Sequence, residues 1–410
     1  MQSAPRWRCE VHILLVADGR SPITHSWMRM LARTGCRVSL VSTYPCGSLP
    51  DGVKQFTLPV GFAGLAGGQV GGSHSAAAGA SRRLISRFRP LLFGLRALAA
   101  PLTLRPAQRR FLEIVEEIKP DLVHALRIPF EGMLASAMPQ GIPFIVSIWG
   151  NDLTLHARSS PGMGALTRRT LQRADGLLAD AACDLRLARE WNFREGLPQL
   201  VLPGNGGLDL DALQRIIADP SDLPFGLPSG RPLVVNPRGF RPGSVHQEVF
   251  FQSIPQVIEA MPSVLFACPG MQGQPQAQGW VEKLGLQEHV RLLPYLPQET
   301  LWRLFARAQV YMSLSSHDGT PNTFLEALAC GCFPLVGDIE SLREWLADGV
   351  NGLLVDPRSP QAAASALLRA LQDEPLRRSA RARNLELVAR RAEVGVVAGQ
   401  WQAFLGDLLG

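Results

Sequence analysis

Short apolar runs alternate with amphipathic stretches along most of this chain. The apolar run at residues 11–17 predicts a buried strand, and the periodicity of 27–34 predicts a helix that ends at Gly35. Further strands are predicted at residues 37–41, 121–125, 143–148, 176–179, 200–202, 233–236, 264–267, 290–293, 310–314 and 335–336. Further helices are predicted at 111–118, 131–138, 166–173, 183–191, 249–261, 299–307, 322–329, 361–372 and 396–409. Strands that alternate with helices favour an α/β fold with parallel, doubly wound sheets.

The length of 410 residues predicts two domains. Residues 1–218 form the predicted first domain and residues 233–395 the predicted second domain. Residues 219–232 are dense in Pro, Gly and Ser, which is typical of a linker. Residues 396–410 form a separate terminal helix. Residues 61–80 are rich in Gly, Ala and Ser and predict a loop.

Composition places the chain among globular proteins, because 46% of its residues are hydrophobic and 19% are charged. No run of 18 apolar residues occurs, so we expect no membrane-spanning helix. The first apolar run is too short for a signal peptide. The seven cysteines show no C-x-x-C spacing, which favours free thiols in the cytoplasm. We expect Cys330 and Cys332 to pack around a glycine turn rather than to bind a metal.

The net charge of +6 is distributed unevenly along the sequence. No acidic residue occurs between Asp51 and Glu113, whereas eight arginines lie from Arg82 to Arg110 among leucines and phenylalanines. One interpretation is that this segment binds an anionic membrane surface, which would make the protein peripheral at the inner face of the membrane. The other is a helix with one solvated face and one core face. We expect no nucleic-acid partner, since no recognised module accompanies the charge.

Candidate chemistry is concentrated in residues 316–331, between the predicted strand 310–314 and the strand 335–336. Asp318 follows the first strand, and Glu326 lies eight residues later on the predicted helix. Ligands bind at the carboxyl ends of strands in open α/β sheets, and a helix N-terminus favours an anion such as a diphosphate. Thr320, Asn322 and Thr323 surround the proline that sets the first turn, and we expect them to contact the same ligand.

These residues resemble the E-x7-E motif of the retaining family-4 glycosyltransferases. The family pattern is roughly acidic-Gly-x-Pro-Asn-x-x-x-Glu-Ala-x-Ala-x-Gly-x-Pro, and the chain matches nearly all of it, with Asp318 where Glu is usual. The resemblance implies a GT-B fold, in which two Rossmann-like domains face a central cleft and the terminal helix crosses back to the first domain. It also implies that Asp318 lies near the transferred sugar and that Glu326 accepts hydrogen bonds from the ribose of the donor.

The same resemblance implies a cationic site for the donor diphosphate on the loop after the strand 233–236. Arg238 fits the family arginine, but Gly243 occupies the place of the family lysine, so we take Arg241 as its substitute. Guanidinium groups suit phosphate oxygens and stabilise the charge that develops on a leaving nucleotide. An ordinary pair of surface arginines is the alternative. Glu344, in a block similar to the family's G-x-x-E, is predicted either as a helix-start acid near the donor site or as a capping residue.

Acceptor-side candidates lie at strand ends of the first domain. Gly19 ends the first strand without a G-x-G-x-x-G motif, which argues against a nicotinamide enzyme but would let the backbone approach a donor phosphate. Trp149 and Asp152 belong to a W-G-x-D block that resembles a family variant. Asp152 is predicted to orient or deprotonate the acceptor hydroxyl, with an N-cap role as the alternative. His25 and His124 are further acceptor-side candidates, and a structural role for His25 is the alternative.

The sequence therefore predicts a retaining glycosyltransferase that moves a sugar from a nucleotide-diphosphate sugar to a hydroxyl of a sugar or lipid-linked acceptor. Its pathway would be polysaccharide, glycolipid or glycoconjugate biosynthesis. No D-x-D pair follows a predicted strand, so we expect no metal and no cofactor besides the donor substrate. The alternatives are a GT-B sugar epimerase, a phosphorylase, and a non-catalytic protein that binds nucleotide sugars.

Overall fold

The computed structural model describes residues 11–47, 49, 52–60, 89–219, 226–228, 230–241 and 243–410, without the side chains of 89–103. The chain divides into two compact units. The first unit runs to Gly207 and includes Val397–Gly410, and the second unit comprises Leu208–Val396. The predicted loop at 61–80 lies outside the described residues.

Seven parallel strands in the described part of the first unit form one sheet with the order β3-β2-β1-β4-β5-β6-β7. These strands are β1 His12–Ala17, β2 Arg37–Ser42, β3 Lys54–Thr57, β4 Leu122–Ala125, β5 Phe144–Ile148, β6 Gly176–Ala179 and β7 Gln199–Val201. All six residues of β1 are buried, as expected for an apolar strand covered on both faces of a parallel sheet. The strand order reverses between β1 and β4, which makes their carboxyl ends a topological switch point.

Helices of the first unit cover this sheet, and two of them follow a serine cap with proline in the first turn. They are Pro22–Arg33, Arg89–Ile118, Met133–Ala135, Pro161–Arg173, Ala182–Glu190 and most of Val394–Leu409, with π-helical turns at Ile128–Gly132 and Asp152–His156. The first helix begins five residues before the predicted start, because the Ser21 side chain accepts from the Ile23 N–H and Pro22 fits the first turn. The predicted helix at 131–138 is confirmed only in part, because the α-helix covers Met133–Ala135 and the chain turns from Ser136 onward.

Six parallel strands form the sheet of the second unit within its described residues, in the order β10-β9-β8-β11-β12-β13. They are β8 Leu233–Val235, β9 Leu265–Cys268, β10 Val290–Leu292, β11 Val310–Ser313, β12 Phe333–Gly337 and β13 Leu353–Val355. The order reverses between β8 and β11, which again creates a switch point. The predicted α/β class with two parallel sheets is therefore confirmed.

Helices also flank the second sheet. They are Leu210–Ile217, Gln247–Ala260, Pro275–Lys283, Gln298–Arg307, Asn322–Ala329, Glu340–Arg343, Pro360–Gln372 and Glu374–Arg391. The sequence did not predict Leu210–Ile217, Pro275–Lys283, Glu340–Arg343 or Glu374–Arg391. The last of these is dominated by charged residues and buries only Ala380, Asn384 and Val388 completely, so its apolar stripe is too thin to detect from periodicity.

The basic segment from Arg82 to Arg110 is described only in part, since residues 82–88 lie outside the described ranges. Leu104 and Ala107 are buried against the core of the first unit, whereas Arg105, Arg109 and Arg110 are exposed. This end of the segment thus has a core face and a solvated face, and membrane binding stays a prediction. Across the described ranges, every helix is too short or too polar to cross a bilayer.

Candidate functional site

The switch point of the second unit brings together two residues that are distant in sequence. Arg238 follows β8, and Asp318 follows the neighbouring strand β11. The Nη2 group of Arg238 donates to Oδ2 of Asp318, and the two side chains form an ion pair. The Arg238 side chain is only 6% exposed and the Asp318 side chain 19%. The predicted catalytic pair therefore forms a partly buried contact where an α/β sheet binds ligands.

The loop that carries Arg238 is held by amide side chains from the adjoining strand end and helix. Asn236 Nδ2 donates to Gln247 Oε1 at 2.7 Å, and Gln247 Nε2 donates to the Gly239 carbonyl at 2.6 Å. The Arg238 N–H donates to Asn236 Oδ1 at 3.3 Å. Asn236 and Gln247 are buried, so these bonds fix the backbone position of Arg238. Arg241 is exposed, and its Nε donates to the Arg238 carbonyl at 3.3 Å, which keeps it beside the predicted phosphate site.

The loop that carries Asp318 is fixed by a close backbone approach and two serines. Ser315 Oγ donates to Asp318 Oδ2 at 3.2 Å, and Ser341 Oγ donates to the Asp318 carbonyl at 2.8 Å. Gly337, at the end of β12, faces the Ser315 carbonyl so closely that a Cβ there would lie 2.2 Å from its oxygen. Only glycine fits this contact without moving the loop.

The helix Asn322–Ala329 begins at Pro321, whose φ of −63° suits the turn, and no side chain caps it. Its first N–H groups and its dipole therefore remain suited to an anionic ligand. Thr320 is buried, and its hydroxyl accepts from Trp345 Nε1 at 2.9 Å, so this predicted donor contact also braces the loop. Thr323 Oγ1 lies 3.4 Å from the hydroxyl of Tyr311.

Glu326 lies one turn inside this helix, as predicted. Its side chain is buried, and Oε1 accepts from Gln298 Nε2 at 2.7 Å. Burial raises the pKa of Glu326 to about 7, and the hydrogen bond from Gln298 opposes that rise. A buried carboxylate is a strong hydrogen-bond acceptor for ligand hydroxyls.

One interpretation required Glu344 to start a helix, and the structure contradicts it. Glu344 is the C-cap of Glu340–Arg343, because that helix ends after a single turn. Its carbonyl accepts from Arg391 Nη1 at 2.7 Å, and the guanidinium of Arg391 lies 3.9 Å above the Trp345 ring. Glu344 is connected to the predicted donor site through the next residue, Trp345, whose Nε1 donates to Thr320.

A cavity of about 180 Å³ lies in the first unit near the carboxyl ends of β1, β4 and β5. Trp149, predicted on the acceptor side, lines this cavity. Its other polar and aromatic lining residues include Asp18, Tyr44, Arg127, Glu131 and His156. Sequence reasoning missed Arg127 and Glu131. Arg127 was detectable, since it comes two residues after β4 at the switch point. Glu131 was hidden inside a predicted helix.

Asp152 is completely buried beneath this cavity, and both of its carboxylate oxygens have partners. Oδ1 accepts from Arg127 Nη2 at 2.5 Å, and Oδ2 accepts from the N–H groups of Ile128 at 3.1 Å and Trp149 at 3.4 Å. These contacts contradict both predicted roles, because the carboxylate neither faces an acceptor nor caps the turn that follows it. Asp152 instead positions Arg127, whose guanidinium lies 5.1 Å from the centre of the Trp149 ring.

The predicted acceptor role of His124 is also wrong. Its ring is buried between Trp27 and Trp401, and Nε2 bonds to Ser147 Oγ at 2.8 Å. Burial lowers the pKa of His124 to about 3, so the ring stays neutral. The imidazole was predicted to face a ligand because it ends a strand. However, residues of a central strand alternate between the two covered faces of the sheet.

His25 and Gly19 contact each other rather than the cavity. His25 Nε2 lies 3.0 Å from the Gly19 carbonyl. A Cβ on Gly19 would lie 2.5 Å from Cys46 Sγ and 2.8 Å from Ser42 Oγ, so packing inside the unit already requires glycine here. Among the described His, Cys, Asp and Glu residues, no group of three is placed to hold a metal ion.

Family models match both units of the chain. Residues 18–204 match the glycosyl transferase 4-like domain, and residues 243–386 match glycosyl transferases group 1. The chain is 33% identical to the O-antigen chain mannosyltransferase B of Escherichia coli over 108 residues, and this aligned region covers 26% of each protein. It is 31% identical over 133 residues to the GDP-mannose:cellobiosyl-diphosphopolyprenol alpha-mannosyltransferase of Xanthomonas campestris, covering 31% of this chain and 34% of the relative. The matches thus span about a quarter and a third of these relatives.

Solved structures resemble the whole chain at low identity. The sucrose-phosphate synthase of Thermosynechococcus elongatus has a TM-score of 0.73 and 16% identity, with coverage of 97% of this chain and 99% of that one. Anabaena HepE in complex with UDP-glucose has a TM-score of 0.69 and 14% identity, with coverage of 97% and 100%. At these identities the likeness establishes the fold.

Proposed function

This chain belongs to the group 1 glycosyltransferases and has the GT-B fold. From that premise, we propose that it transfers a sugar from a nucleotide-diphosphate sugar to an acceptor hydroxyl and retains the configuration of the anomeric carbon. The contact between Arg238 and Asp318 at the switch point carries the proposal. Together with Glu326, eight residues after Asp318, this contact supplies three groups. Arg238 is the cation for phosphate, Asp318 is the acid for the transferred sugar, and Glu326 is the hydrogen-bond acceptor for ribose. That Anabaena HepE binds UDP-glucose supports the same donor class here.

Arg238 is the residue best suited to the donor diphosphate. Its Nη2 is occupied by Asp318, whereas its Nε is buried and has no hydrogen-bond partner in the described part of the chain. A phosphate oxygen would satisfy this donor and would be stabilised further by the N-terminus of the helix Asn322–Ala329. Arg238, with Arg241 beside it, would then stabilise the charge on the leaving nucleotide, and the proposal invokes no metal.

Retention follows if the acceptor oxygen attacks from the face that the diphosphate leaves. The bond from the anomeric carbon to the diphosphate breaks as the bond to the acceptor oxygen forms, and the acceptor proton passes to a diphosphate oxygen. Asp318 would hold hydroxyls of the transferred sugar. Since the diphosphate accepts the proton, the burial of Asp152 does not conflict with this route. We place the enzyme in the cytoplasm, in the synthesis of a polysaccharide or glycolipid.

Nucleotide binding tests the donor site. We expect one of UDP, GDP and ADP to raise the melting temperature, and Glu326→Ala to weaken its binding about 10- to 100-fold in calorimetry, because a charged acceptor for ribose is lost. Glu282→Ala, which removes an exposed carboxylate from the helix Pro275–Lys283, is the matched control and should bind normally. Unchanged affinity in folded Glu326→Ala protein would contradict the proposed donor site. NMR of the product with the matching sugar donor would identify the anomer.

A further inference from the structure

Glu131 is a buried acid on the wall of the first unit's cavity. Its side chain is nearly inaccessible, with 4% of the residue exposed, and Oε1 accepts from Thr43 Oγ1 at 2.9 Å. Oε2 is buried and has no hydrogen-bond partner among the residues that the structure describes. A buried carboxylate oxygen without a partner is costly to the fold, so a ligand that donates a hydrogen bond is expected at this atom.

The backbone around Glu131 is strained and held firmly. Phe130, immediately before it, has φ +68° and ψ −55°, which breaks the helical path within Ile128–Gly132. An aromatic residue avoids positive φ, and such strain occurs frequently at functional sites. Asp152 accepts from the Ile128 N–H at 3.1 Å, and the Gly132 N–H donates to the Arg127 carbonyl at 2.9 Å. The turn therefore presents Glu131 from a fixed backbone.

The charges near this cavity favour a neutral ligand over an anionic one. Asp18 and Glu131 contribute two carboxylates to the lining. Arg127, which also lines the cavity, already forms an ion pair with Asp152 at 2.5 Å. Asp18 is likewise paired, with Arg20 at 2.9 Å, so the carboxylate of Glu131 is the acid that a phosphate group would meet here. The buried Nε of Arg127 has no hydrogen-bond partner in the described part of the chain, and a sugar hydroxyl oxygen can accept from it.

The remaining lining suits a polyhydroxylated ring. Ser21, Thr24 and Ser159 contribute hydroxyl groups, and Tyr44 and Trp149 contribute aromatic rings. The volume of about 180 Å³ is below the roughly 300–1,000 Å³ that drug-sized ligands require, so it fits a single ring rather than an oligosaccharide.

We propose that this cavity binds one neutral sugar ring of the acceptor and that Oε2 of Glu131 accepts a hydrogen bond from one of its hydroxyls. Glu131 is then a specificity-determining residue that selects an unphosphorylated terminal sugar. The inference rests on the proposed glycosyl transfer, because it identifies the acceptor end of that reaction.

Titration separates this role from a purely structural one. Burial raises the pKa of Glu131 to about 7, and Arg127 opposes that rise. The other titratable or charged groups that face it or share its cavity are Asp152, Tyr44, Asp18 and His156. An ionised carboxylate accepts more strongly than a neutral one, so sugar affinity should rise as the pH rises through 7. Glu131→Gln should abolish the part of this pH dependence that comes from ionisation of Glu131.

The experiment uses the full chain and calorimetry or saturation-transfer NMR with methyl glycosides of glucose, mannose and galactose and with their 6-phosphates. We expect at least one neutral glycoside to bind, its phosphate to bind about tenfold more weakly, and Glu131→Ala to lose about tenfold in affinity for it. Glu131→Gln preserves the shape of the side chain, so it tests the role of the carboxylate even if Glu131→Ala fails to fold. Thr43→Val is the matched control that removes the neighbouring hydroxyl but keeps the carboxylate of Glu131. It should lose less affinity for the neutral glycoside than Glu131→Ala does.

Three results would each overturn the proposal. They are no binding of any neutral glycoside to the wild type, tighter binding of the phosphates, and equal affinities for wild type and both Glu131 variants. Nucleotide affinity should be unchanged in every variant, because the donor residues belong to the second unit. If the wild type bound no nucleotide, the proposed function would be contradicted instead. Failure of the acceptor proposal and failure of the proposed function are therefore distinguishable.

Discussion

At the residue scale, the buried carboxylate of Glu326 makes stability depend on pH. Its pKa is raised from 4.5 to about 7 in the folded protein. The folded state therefore binds more protons than the unfolded state between these values, and the contribution of Glu326 to stability falls as pH rises from about 4.5 to 7. Above pH 7 the ionised group is buried at a cost on the order of 3 kcal/mol.

We predict that Glu326→Gln raises the free energy of unfolding at pH 8 and leaves it nearly unchanged at pH 4. A neutral amide has no ionised form to bury, and it can still accept from Gln298. Urea unfolding at both pH values measures this difference. A variant that is equally stabilised at pH 4 and pH 8 would show that ionisation of Glu326 is not the cause.

Asp318 is predicted to affect turnover more than donor binding, because we place it at the transferred sugar. Asp318→Ala should lower kcat by about 100-fold while nucleotide affinity falls by less than tenfold. Asp318→Glu should retain activity, since the longer acid is the family norm and can still pair with Arg238. Steady-state kinetics with the donor found by the nucleotide screen measures both. An active Asp318→Ala enzyme beside an inactive Asp318→Glu enzyme would refute the assignment.

At the scale of elements, the contact between the end of β12 and the loop after β11 positions Asp318. A methyl group on Gly337 would collide with the Ser315 carbonyl, so we predict that Gly337→Ala costs about 1–3 kcal/mol of stability and displaces the loop. Activity should fall even where the protein remains folded.

The matched control for this substitution is Gly279→Ala, in the helix Pro275–Lys283. No atom lies within 4 Å of a Cβ at Gly279, so alanine should stabilise the helix by about 0.5–1 kcal/mol and preserve activity. Thermal unfolding and turnover of both variants distinguish the two cases. Normal activity in Gly337→Ala protein would mean that the loop tolerates the shift.

At the scale of the whole molecule, the basic segment from Arg82 to Arg110 predicts docking on an anionic membrane. Each arginine near such a surface contributes about 1 kcal/mol, and salt screens the attraction. Replacing Arg82, Arg83, Arg87 and Arg89 with Ser should therefore abolish co-sedimentation with vesicles of anionic lipid and leave nucleotide binding intact. High salt should release the wild-type protein.

The control for this prediction removes the same charge elsewhere. Arg358, Arg378, Arg383 and Arg390 are exposed in the second unit, and their replacement with Ser should leave vesicle binding unchanged. If both quadruple variants lose binding equally, the attraction reflects net charge alone. Wild-type protein that stays in the supernatant at low salt would favour an acceptor that is not embedded in a membrane.

The sequence by itself determined most of the strands and helices and their α/β alternation, although it missed β3, β13 and several helices. Apolar periodicity reports which side of each element is buried, and this is a local property of the chain. The placement of Asp318 and Glu326 could be read locally, because a strand, a loop and a helix start lie within one short segment. Their roles, and that of Arg238 after the strand 233–236, came from the resemblance to the glycosyltransferase motifs.

Only the tertiary structure decided which side chains meet and which are buried. Arg238 and Asp318 are 80 residues apart in sequence and pair because β8 and β11 are adjacent. Asp152 and His124 both lie at strand ends, yet one is bound by Arg127 and the other is enclosed between Trp27 and Trp401. The partners of a polar side chain, and its burial at a strand end, depend on strand order and on contacts between distant segments. Local periodicity shows which face of an element is buried, but it does not show which side chains meet there.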